Sequence, residues 1–511
     1  MKKIYFLIAA LLLCFGLYSQ TTAITPTYGN GSEENPYQIE NLAHLRWLSE
    51  NDKVWDKHFV QTADIDATET EEWNNGEGFS PIGADSENIF KGTYNGHFHT
   101  IKNLSINRPN SDYQGLFAFI SGAIIEKLKI ESAKIVGSSH ISGIVAYSMS
   151  SEIYQSSVTG SITGEHTVGG ISGYSSYSII NKSQSSANVY ASNDKIGGIA
   201  GATMSGTISQ TSVTGTIDGN NDVGGICGYN EGGDIQESFS DATLIARDNE
   251  AKIGGIVGGN NNGNLLNCYS FSNISANENS VIGGIIGYNW NGSILNNYFA
   301  GTFGGNSSTK KGICGRGTTY NPEDEYTNFW DKDVSGIDDG SAQAKSTAEM
   351  KNVKTFFDTD WEFKLKNSTK NIPWNIGNSK NNGYPYLNWQ FPTDVGVDIA
   401  TPAQLFTTDL NITLSREIKI TIDVDYPGNP LASEFGVCYS LNENPTLNDN
   451  KTALSETINE GEFIVTTPPL ELGKTYYLRN YVIYDGEITY GKQFPVTIAG
   501  LEKPVVSKIH I

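Results

Sequence analysis

Residues 168–201 read VGGISGYSSYSIINKSQSSANVYASNDKIGGIAG, and the phrase Gly-Gly-Ile-x-Gly stands near both ends of this stretch. The second glycines of the two copies, Gly170 and Gly198, are 28 residues apart. Further copies continue through the middle of the chain at nearly the same spacing. The phased glycines are Gly115, Gly143, Gly170, Gly198, Gly225, Gly255, Gly284 and Gly312. Self-similarity at a fixed period of this length indicates a repeat architecture.

Apolar residues recur at three fixed distances from these glycines. One residue after the glycine stand Leu116, Ile144, Ile171, Ile199, Ile226, Ile256, Ile285 and Ile313. Ten residues after it stand Ile125, Ile153, Ile180, Ile208, Ile235, Leu265 and Ile294, and nineteen after it Ile162, Val189, Ile217, Leu244, Ile274 and Phe303. A helical repeat would place apolar residues at i, i+3, i+4 and i+7, so this pattern disfavours helices. The three columns predict a parallel β-solenoid with three inward-facing strands per turn, stacked about 4.8 Å apart.

Two further features keep the same phase. A polar column follows thirteen residues after the glycine, at Ser156, Ser183, Thr211, Ser238, Cys268 and Asn297. Small polar side chains stacked in this way predict hydrogen bonds along the solenoid axis. A pair of glycines in most coils requires either a tight bend or a close approach of two backbones, and the pattern leaves both open.

The cysteines beyond residue 20 show neither paired spacing nor a CxxC motif, which disfavours a disulfide framework and a zinc site. They are Cys227, Cys268, Cys314 and Cys438. Cys227 and Cys314 occupy the same position in coils three apart. That places them about 14 Å apart by strand spacing, beyond the roughly 7 Å between Cα atoms that a disulfide permits. We therefore predict free thiols.

The repeats resemble the GLUG-motif repeats of secreted and surface proteins of bacteria. The resemblance covers about Gly115 to Gly315, with isoleucine where the motif's name implies leucine, except at Leu116. It implies a β-solenoid over residues 113–318 in which the motif residues are structural. These residues are Gly143, Gly170, Ile171, Gly198, Ile199, Gly225, Ile226, Gly255, Ile256, Gly284 and Ile285.

Capping modules are predicted on both sides of the repeats. Residues 24–112 are similar to the module that commonly precedes GLUG repeats, and Asn41 is a suitable N-cap for a short helix to about Ser49. Such a module covers the exposed edge of the first coil. Residues 319–392 resemble the closing segment of the same architecture. Its tryptophans are expected to shield the last coil, in preference to stacking on sugars; they are Trp330, Trp361, Trp374 and Trp389.

Residues 393–402 are predicted to be a linker, and residues 403–498 alternate apolar and polar in about seven short runs that fit a β-sandwich. The phrases FGVCYS and LGKTYYLRNYV resemble fibronectin type III-like modules of secreted bacterial proteins. In that comparison Tyr476, after Leu472, corresponds to the tyrosine corner. The predicted fold is therefore all-β: a capped parallel β-solenoid followed by a β-sandwich.

The first twenty residues are typical of a secretory signal peptide, with Lys2 and Lys3 before an apolar stretch too short to span a membrane. No other segment has the length and apolarity of a transmembrane helix, so none is expected after cleavage. Loss of the two lysines changes the net charge from −22 to −24. An acidic surface repels polyanions, which disfavours nucleic acid and anionic membranes as partners.

No catalytic constellation is apparent in the sequence. The acids of the repeats fall at scattered phases, at Asp194, Asp218, Asp222, Asp234, Asp241 and Asp248. Asp64 and Asp66 are the candidates for a calcium site, although aspartates in this setting more commonly accept hydrogen bonds from turn amides. His97 and His99 share one side of the chain, but a third zinc ligand is missing. No other cofactor is indicated.

The pattern favours a non-catalytic, secreted or cell-surface protein that binds an extracellular glycan or protein, with the solenoid as a rigid scaffold for adhesion. This step rests on the resemblance to the family. The alternative is a carbohydrate-active β-helix enzyme, a polysaccharide lyase or hydrolase, with its site at the seam between the repeats and a cap.

Overall fold

The computed structural model describes residues 20–83, 87–307, 309–319, 326–341, 343–356, 359, 361–377, 380–398, 403–454 and 458–499. The chain forms two compact units that divide after Trp361. The first is a β-solenoid of about eight turns, and the second contains antiparallel sheets, which confirms the predicted fold class. The predicted signal peptide, apart from Gln20, lies outside the described residues.

The solenoid has four sheets, so the prediction of three strands per turn was wrong. A complete coil passes through sheets 1, 2, 3 and 4 in that order. One such coil consists of Ser139–Ser142, Val145–Met149, Glu152–Tyr154 and Ser157–Gly164. Successive coils pair in parallel, as where Ile153 stands opposite Ile180. Each apolar column therefore forms a continuous row along the axis.

The strands of the four sheets have the following bounds. Sheet 1 consists of Ser139–Ser142, His166–Gly169, Asp194–Gly197, Asn221–Gly224, Lys252–Gly254, Val281–Gly283 and Thr309–Lys311. Sheet 2 consists of Phe117–Ser121, Val145–Met149, Ser172–Ser176, Ala200–Met204, Cys227–Glu231, Val257–Asn261, Ile286–Gly292 and Cys314–Thr319. Sheet 3 consists of Tyr37–Ile39, His58–Gln61, Thr93–Asn95, Ile124–Glu126, Glu152–Tyr154, Ile179–Asn181, Thr207–Ser209, Asp234–Gln236, Asn264–Leu266 and Ile294–Leu295. Sheet 4 consists of Ile65–Asp66, Thr100–Lys102, Ser105–Asn107, Lys129–Val136, Ser157–Gly164, Gln184–Ala191, Ser212–Gly219, Phe239–Ala246, Tyr269–Ser270, Asn273–Ala276, Tyr298–Phe299, Thr302–Gly305, Phe329–Asp331 and Ala344–Lys345.

Sheet 1 contributes a fourth apolar column, two residues before the phased glycines. Its members are fully buried: Ile141, Val168, Ile196, Val223, Ile253 and Ile282. The chain passes from sheet 1 to sheet 2 over only two residues, as at Gly170 and Ile171 between the strands His166–Gly169 and Ser172–Ser176. The isoleucines that follow the motif glycines point into the same core and are also fully buried, as at Ile199, Ile256 and Ile285.

Close backbone approach accounts for the motif glycines. A Cβ atom on Gly170 would lie 2.1 Å from the carbonyl oxygen of Gly198, and one on Gly255 would lie 2.0 Å from that of Gly284. The same holds at Gly198 and Gly225. None of these glycines has a positive φ, so a left-handed backbone is not the reason for them. Successive coils meet at a point where only a hydrogen atom fits.

The predicted axial hydrogen bonds are present in the polar column. Ser156 Oγ accepts a bond from the amide of Leu128, one coil earlier, at 3.3 Å. Ser183 Oγ accepts from the amide of Ser156 at 3.2 Å. These hydroxyls accept hydrogen bonds from backbone amides at a corner of the coil, where strand pairing does not satisfy those amides.

A second polar row runs inside the solenoid, five residues after the phased glycines, and we call it the asparagine ladder. It consists of Asn230, Asn260 and Asn289, all essentially inaccessible to solvent. Asn230 Nδ2 donates to Asn260 Oδ1 at 2.8 Å, and Asn260 Nδ2 donates to Asn289 Oδ1 at 2.7 Å. Each Nδ2 also donates to the carbonyl three residues further along its own chain, at 2.9 to 3.0 Å.

The N-terminal capping module adds incomplete coils to sheets 3 and 4. Its helix, Leu42–Glu50, begins after Asn41, whose side chain accepts a bond from His44 N as predicted. Leu45 and Leu48 of this helix join the hydrophobic core of the solenoid. A 3-10 turn follows at Asp52–Val54, and two more, merged across a kink, span Thr68–Gly76.

The predicted closing module, residues 319–392, is divided between the two units. In the first unit, Trp330 packs against Gly312 of the last motif and Trp361 stacks near Phe356, with ring centroids 4.8 Å apart. Short helices at Lys332–Ser335 and Thr347–Met350 and a 3-10 turn at Val353–Phe356 accompany them. Trp374 and Trp389 belong to the second unit instead, where the strands Trp374–Asn375 and Tyr386–Leu387 pair.

The second unit contains antiparallel sheets of three and four strands around a shared hydrophobic core. Their strands are Gln404–Ile412, Ile418–Tyr426 and Gly461–Thr466, and Asn450–Leu454, Glu434–Ser440, Thr475–Tyr484 and Glu487–Thr497. The seven strands agree with the predicted sandwich. Tyr476 is buried and its hydroxyl accepts a bond from Glu471 N at 3.4 Å. Two 3-10 turns lie at Asn381–Gly383 and Asn388–Gln390.

Candidate ligand-binding face

The outward side of sheet 2 carries a row of aromatic side chains, which we call the aromatic face. Four residues after the phased glycine, successive coils hold Phe119, Tyr147, Tyr174, Ala202, Tyr229, Gly259 and Tyr288. Strand pairing places each member directly beside the next. Two residues further on, Trp290 also points outward and is 59% exposed. Aromatic rings held in register on a rigid sheet are able to stack on a ligand.

In the first coils the rings of this row stack on one another. Phe119 and Tyr147 have ring centroids 5.0 Å apart, and Tyr147 and Tyr174 are parallel within 14° at 5.2 Å. Tyr113 and His140 extend the cluster sideways, with centroids 4.9 Å apart. Burial among these rings lowers the pKa of His140. Stacking of this kind stabilises the sheet and leaves no space for a ligand between the rings.

The row is interrupted at Ala202, and neighbouring side chains fill the gap. Lys195 Nζ lies over the ring of Tyr229, 5.4 Å from its centroid. From the other side, the Tyr174 hydroxyl donates to Met204 Sδ at 3.6 Å. This interruption is therefore closed.

The second interruption, at Gly259, is open, and we call it the slot. It is a cavity of about 390 Å³ lined by Tyr229, Tyr288, Trp290, Gly259, Lys252, Asn260 and Asn261. Small-molecule sites in proteins typically measure roughly 300 to 1,000 Å³. The slot exists because glycine supplies no side chain at a position where coils on both sides supply a ring.

An ion pair lies at the floor of the slot. Lys252 Nζ lies 3.1 Å from Asp222 Oδ1, and the Asp222 side chain is only 8% exposed. A Cβ atom on Gly259 would lie 2.9 Å from this oxygen, so the carboxylate reaches the slot. Burial raises the pKa of Asp222, and the charge of Lys252 partly offsets that increase. The slot thus combines aromatic walls with a hydrogen-bonding floor.

The residues predicted as metal candidates make ordinary local contacts. Asp64 Oδ1 accepts from Thr100 N at 2.9 Å, and Asp66 Oδ1 accepts from Thr68 N at 3.0 Å. The amide of Thr100 lowers the pKa of the Asp64 carboxyl, and the hydroxyl of Thr68, together with its amide, lowers the pKa of the Asp66 carboxyl. The rings of His97 and His99 have centroids 6.0 Å apart. Within the described residues, no group of three or more His, Cys, Asp or Glu side chains is arranged to hold a metal ion.

Five of the six candidate acids of the repeats lie on three different sheets, and Asp248 lies in the loop after the strand Phe239–Ala246. Asp218 pairs with Arg247, with Nε 2.6 Å from Oδ1, on sheet 4, where Asp241 also lies. Asp234, on sheet 3, accepts from Asn264 Nδ2 at 2.8 Å. Asp194 and Asp222 lie on neighbouring strands of sheet 1, as a pair that the sequence analysis did not recognise. Each has a basic partner, His166 for Asp194 and Lys252 for Asp222.

Cys227, Cys268, Cys314 and Cys438 form no disulfide, as predicted. Burial raises the pKa of the Cys227 and Cys268 thiols to about 12. Cys227 and Cys268 pack in the hydrophobic core of the solenoid.

The fold and the slot together define a β-solenoid repeat protein with an aromatic outer face. No protein-family model matches the chain. It is similar to Halomucin of Haloquadratum walsbyi, with 37% identity over 147 residues, or 28% of this chain and 2% of the relative. It is also similar to a Gly-rich membrane protein of Evansella cellulosilytica, with 36% identity over 129 residues, or 23% of this chain and 14% of the relative.

The chain thus spans only a small part of either relative's length. Among solved structures, an IgA1 protease aligns with 55% of this chain and 21% of its own, with a TM-score of 0.36 and 18% identity. Across the described ranges, no helix has both the length and the apolar character needed to cross a membrane.

Proposed function

We propose that the protein is an extracellular or cell-surface scaffold that binds a ligand through its aromatic face, without catalysing a reaction. A glycan is the favoured ligand, and a surface protein is the second choice. The observation that carries this proposal is the row Tyr174, Tyr229 and Tyr288 with Trp290 beside it, held outward on one sheet. Rigid aromatic side chains give a large contact area at low cost in conformational entropy.

Two further observations support an extracellular setting. The charged start and apolar stretch of residues 1–20 have the pattern of a secretory signal. The two relatives are a halomucin and a protein named for the membrane, which agrees with a place at the cell surface. A solenoid whose coils stack on a continuous core suits a stiff spacer that holds its face away from the cell.

The test is binding of the full chain to a panel of immobilised neutral glycans, acidic glycans and extracellular proteins. A triple variant, Tyr174→Ala with Tyr229→Ala and Tyr288→Ala, is expected to lose the binding. A matched control removes Tyr177 and Tyr190, which are exposed elsewhere on the solenoid. Wild-type binding that the triple variant retains, or no binding to any member of the panel, would contradict the proposal. Release of shortened glycan products would instead favour the carbohydrate-active enzyme.

A further inference from the structure

The slot at Gly259 has the shape of a missing member of the aromatic row. In the first coils, rings on adjacent strands stack at 5.0 and 5.2 Å, one ring per coil. Tyr229 and Tyr288 flank Gly259 in the same register, so their backbones are two ladder spacings apart, about 9.6 Å. The Tyr229 ring leans toward Gly259, because a Cβ atom on Gly259 would lie 3.0 Å from Tyr229 Cδ2. A ligand one ring thick needs about 7 to 8 Å, from two contacts of roughly 3.5 to 4.0 Å. The open volume of about 390 Å³ beside the two tyrosines is large enough for one puckered ring.

The floor of the slot shows which kind of ring fits. Lys252 lines the slot, and its Nζ donates hydrogen bonds. Asp222 Oδ1, which accepts them, lies beside Gly259, 2.9 Å from the position of an added Cβ. A purely aromatic ligand would leave these groups without new partners, whereas ring hydroxyls match both of them. Trp290, at the rim and largely exposed, offers a second flat surface for the next ring of a chain.

Charge selects against acidic sugars. Lys252, the charged residue of the slot lining, is already paired with Asp222, so its charge is compensated and offers little attraction to an acidic sugar. The chain as a whole carries a net charge of −22, which disfavours approach of any polyanion.

We infer that the slot binds one pyranose ring of a neutral glycan, packed against Tyr229 and Tyr288, with the adjoining sugar on Trp290. This inference rests on the proposed binding function and specifies its ligand. The closed interruption at Ala202 is the internal comparison, because Lys195 and Met204 occupy the equivalent space there. In the coil with Gly259 the equivalent lysine, Lys252, is paired with Asp222 and the position stays open.

The experiment is isothermal titration of the full chain with a β-linked glucose hexasaccharide, with a uronic-acid hexasaccharide and phenol as competing probes. The decisive variant is Gly259→Tyr, which fills the slot without removing any binding residue and is expected to abolish sugar binding. The nearest atoms to its new Cβ belong to the side chains of Asp222 and Tyr229, which are able to shift. Trp290→Ala and Tyr288→Ala are each expected to weaken binding about tenfold, the loss of one ring contact. Tyr190→Ala, which removes an exposed ring on sheet 4, is expected to leave the affinity unchanged.

Binding of the uronic-acid probe or of phenol that is tighter than binding of the glucose hexasaccharide would overturn the assignment. Sugar binding by a Gly259→Tyr variant whose circular dichroism spectrum is unchanged would also overturn it. If the triple tyrosine variant loses a ligand that Gly259→Tyr still binds, the slot assignment fails while the proposed function stands. If the wild-type chain binds none of the probes and nothing in the wider panel, both fail.

Discussion

Asn260 in the asparagine ladder provides a sharp test of how the solenoid interior is held together. Its Nδ2 donates to Gly263 O at 2.9 Å and to Asn289 Oδ1 at 2.7 Å, and its side chain is 1% exposed. The Asn260→Asp variant has the same shape but places a carboxylate oxygen against two acceptors. Loss of two hydrogen bonds costs about 2 kcal/mol, at roughly 1 kcal/mol each. Burial also raises the folded-state pKa of the new carboxyl. A rise of about 3 units adds about 4 kcal/mol to the destabilisation near neutral pH, at roughly 1.4 kcal/mol per unit.

The pH dependence has a definite sign. Because the folded-state pKa of the new carboxyl is raised above its unfolded value of about 3.9, the variant is penalised least below that value. The penalty grows as the pH rises from there through the folded-state pKa. Chemical unfolding followed by circular dichroism at about pH 4 and about pH 7 is expected to show a much larger loss at pH 7. The control is Asn291→Asp, an exposed asparagine on the next coil, which should lose little at either pH. An equal loss at both pH values, or a loss at pH 7 no larger than that of the control, would refute the reasoning.

Three further outcomes follow from the packing. Gly255→Ala should destabilise the solenoid by about 3 kcal/mol in a denaturant titration, because the new Cβ would lie 2.0 Å from a carbonyl oxygen of the next coil. Gly304→Ala should be nearly neutral in the same titration, because no atom lies nearer than 3.5 Å to its new Cβ. Cys227 and Cys268 should resist alkylation in the native protein at about pH 8 and react once it is unfolded, which peptide mass spectrometry would detect; rapid native labelling would contradict their burial. Tyr147→Ala should lower the free energy of unfolding by about 1 to 3 kcal/mol through loss of stacking on both neighbours, and an unchanged unfolding midpoint would show that the aromatic row contributes nothing.

The sequence alone predicts much of the solenoid, because its apolar columns repeat in register with the glycines. It missed sheet 1, whose strand His166–Gly169 is separated from Ser172–Ser176 by only two residues, so that the two strands looked like a single segment. The signal was present two residues before six of the eight phased glycines, at Val168 and its counterparts. The axial hydrogen bonds of the polar column were predicted correctly, because side chains that recur at the period of the coil lie one above another along the solenoid axis.

The aromatic face was recoverable in part. Tyrosines four residues after the glycines are visible in the sequence, at Tyr147, Tyr174, Tyr229 and Tyr288. The slot itself could not be predicted from the sequence, because Ala202 and Gly259 look equivalent as small residues. Their difference lies in the neighbouring side chains: Lys195 and Met204 occupy the space beside Ala202, whereas Lys252 is paired with Asp222 beside Gly259.

The contact between the motif glycines of successive coils also bears on how such a chain changes in length. Each of these coils bonds through the glycine pair only to the coil before it and the coil after it, as at Gly170 and Gly198. Duplication of one 28-residue unit would therefore lengthen the rod by a single step and leave every other junction intact. Duplicating the three coils that hold Tyr229, Gly259 and Tyr288 as one block would copy the slot as well, including the pair of Asp222 and Lys252.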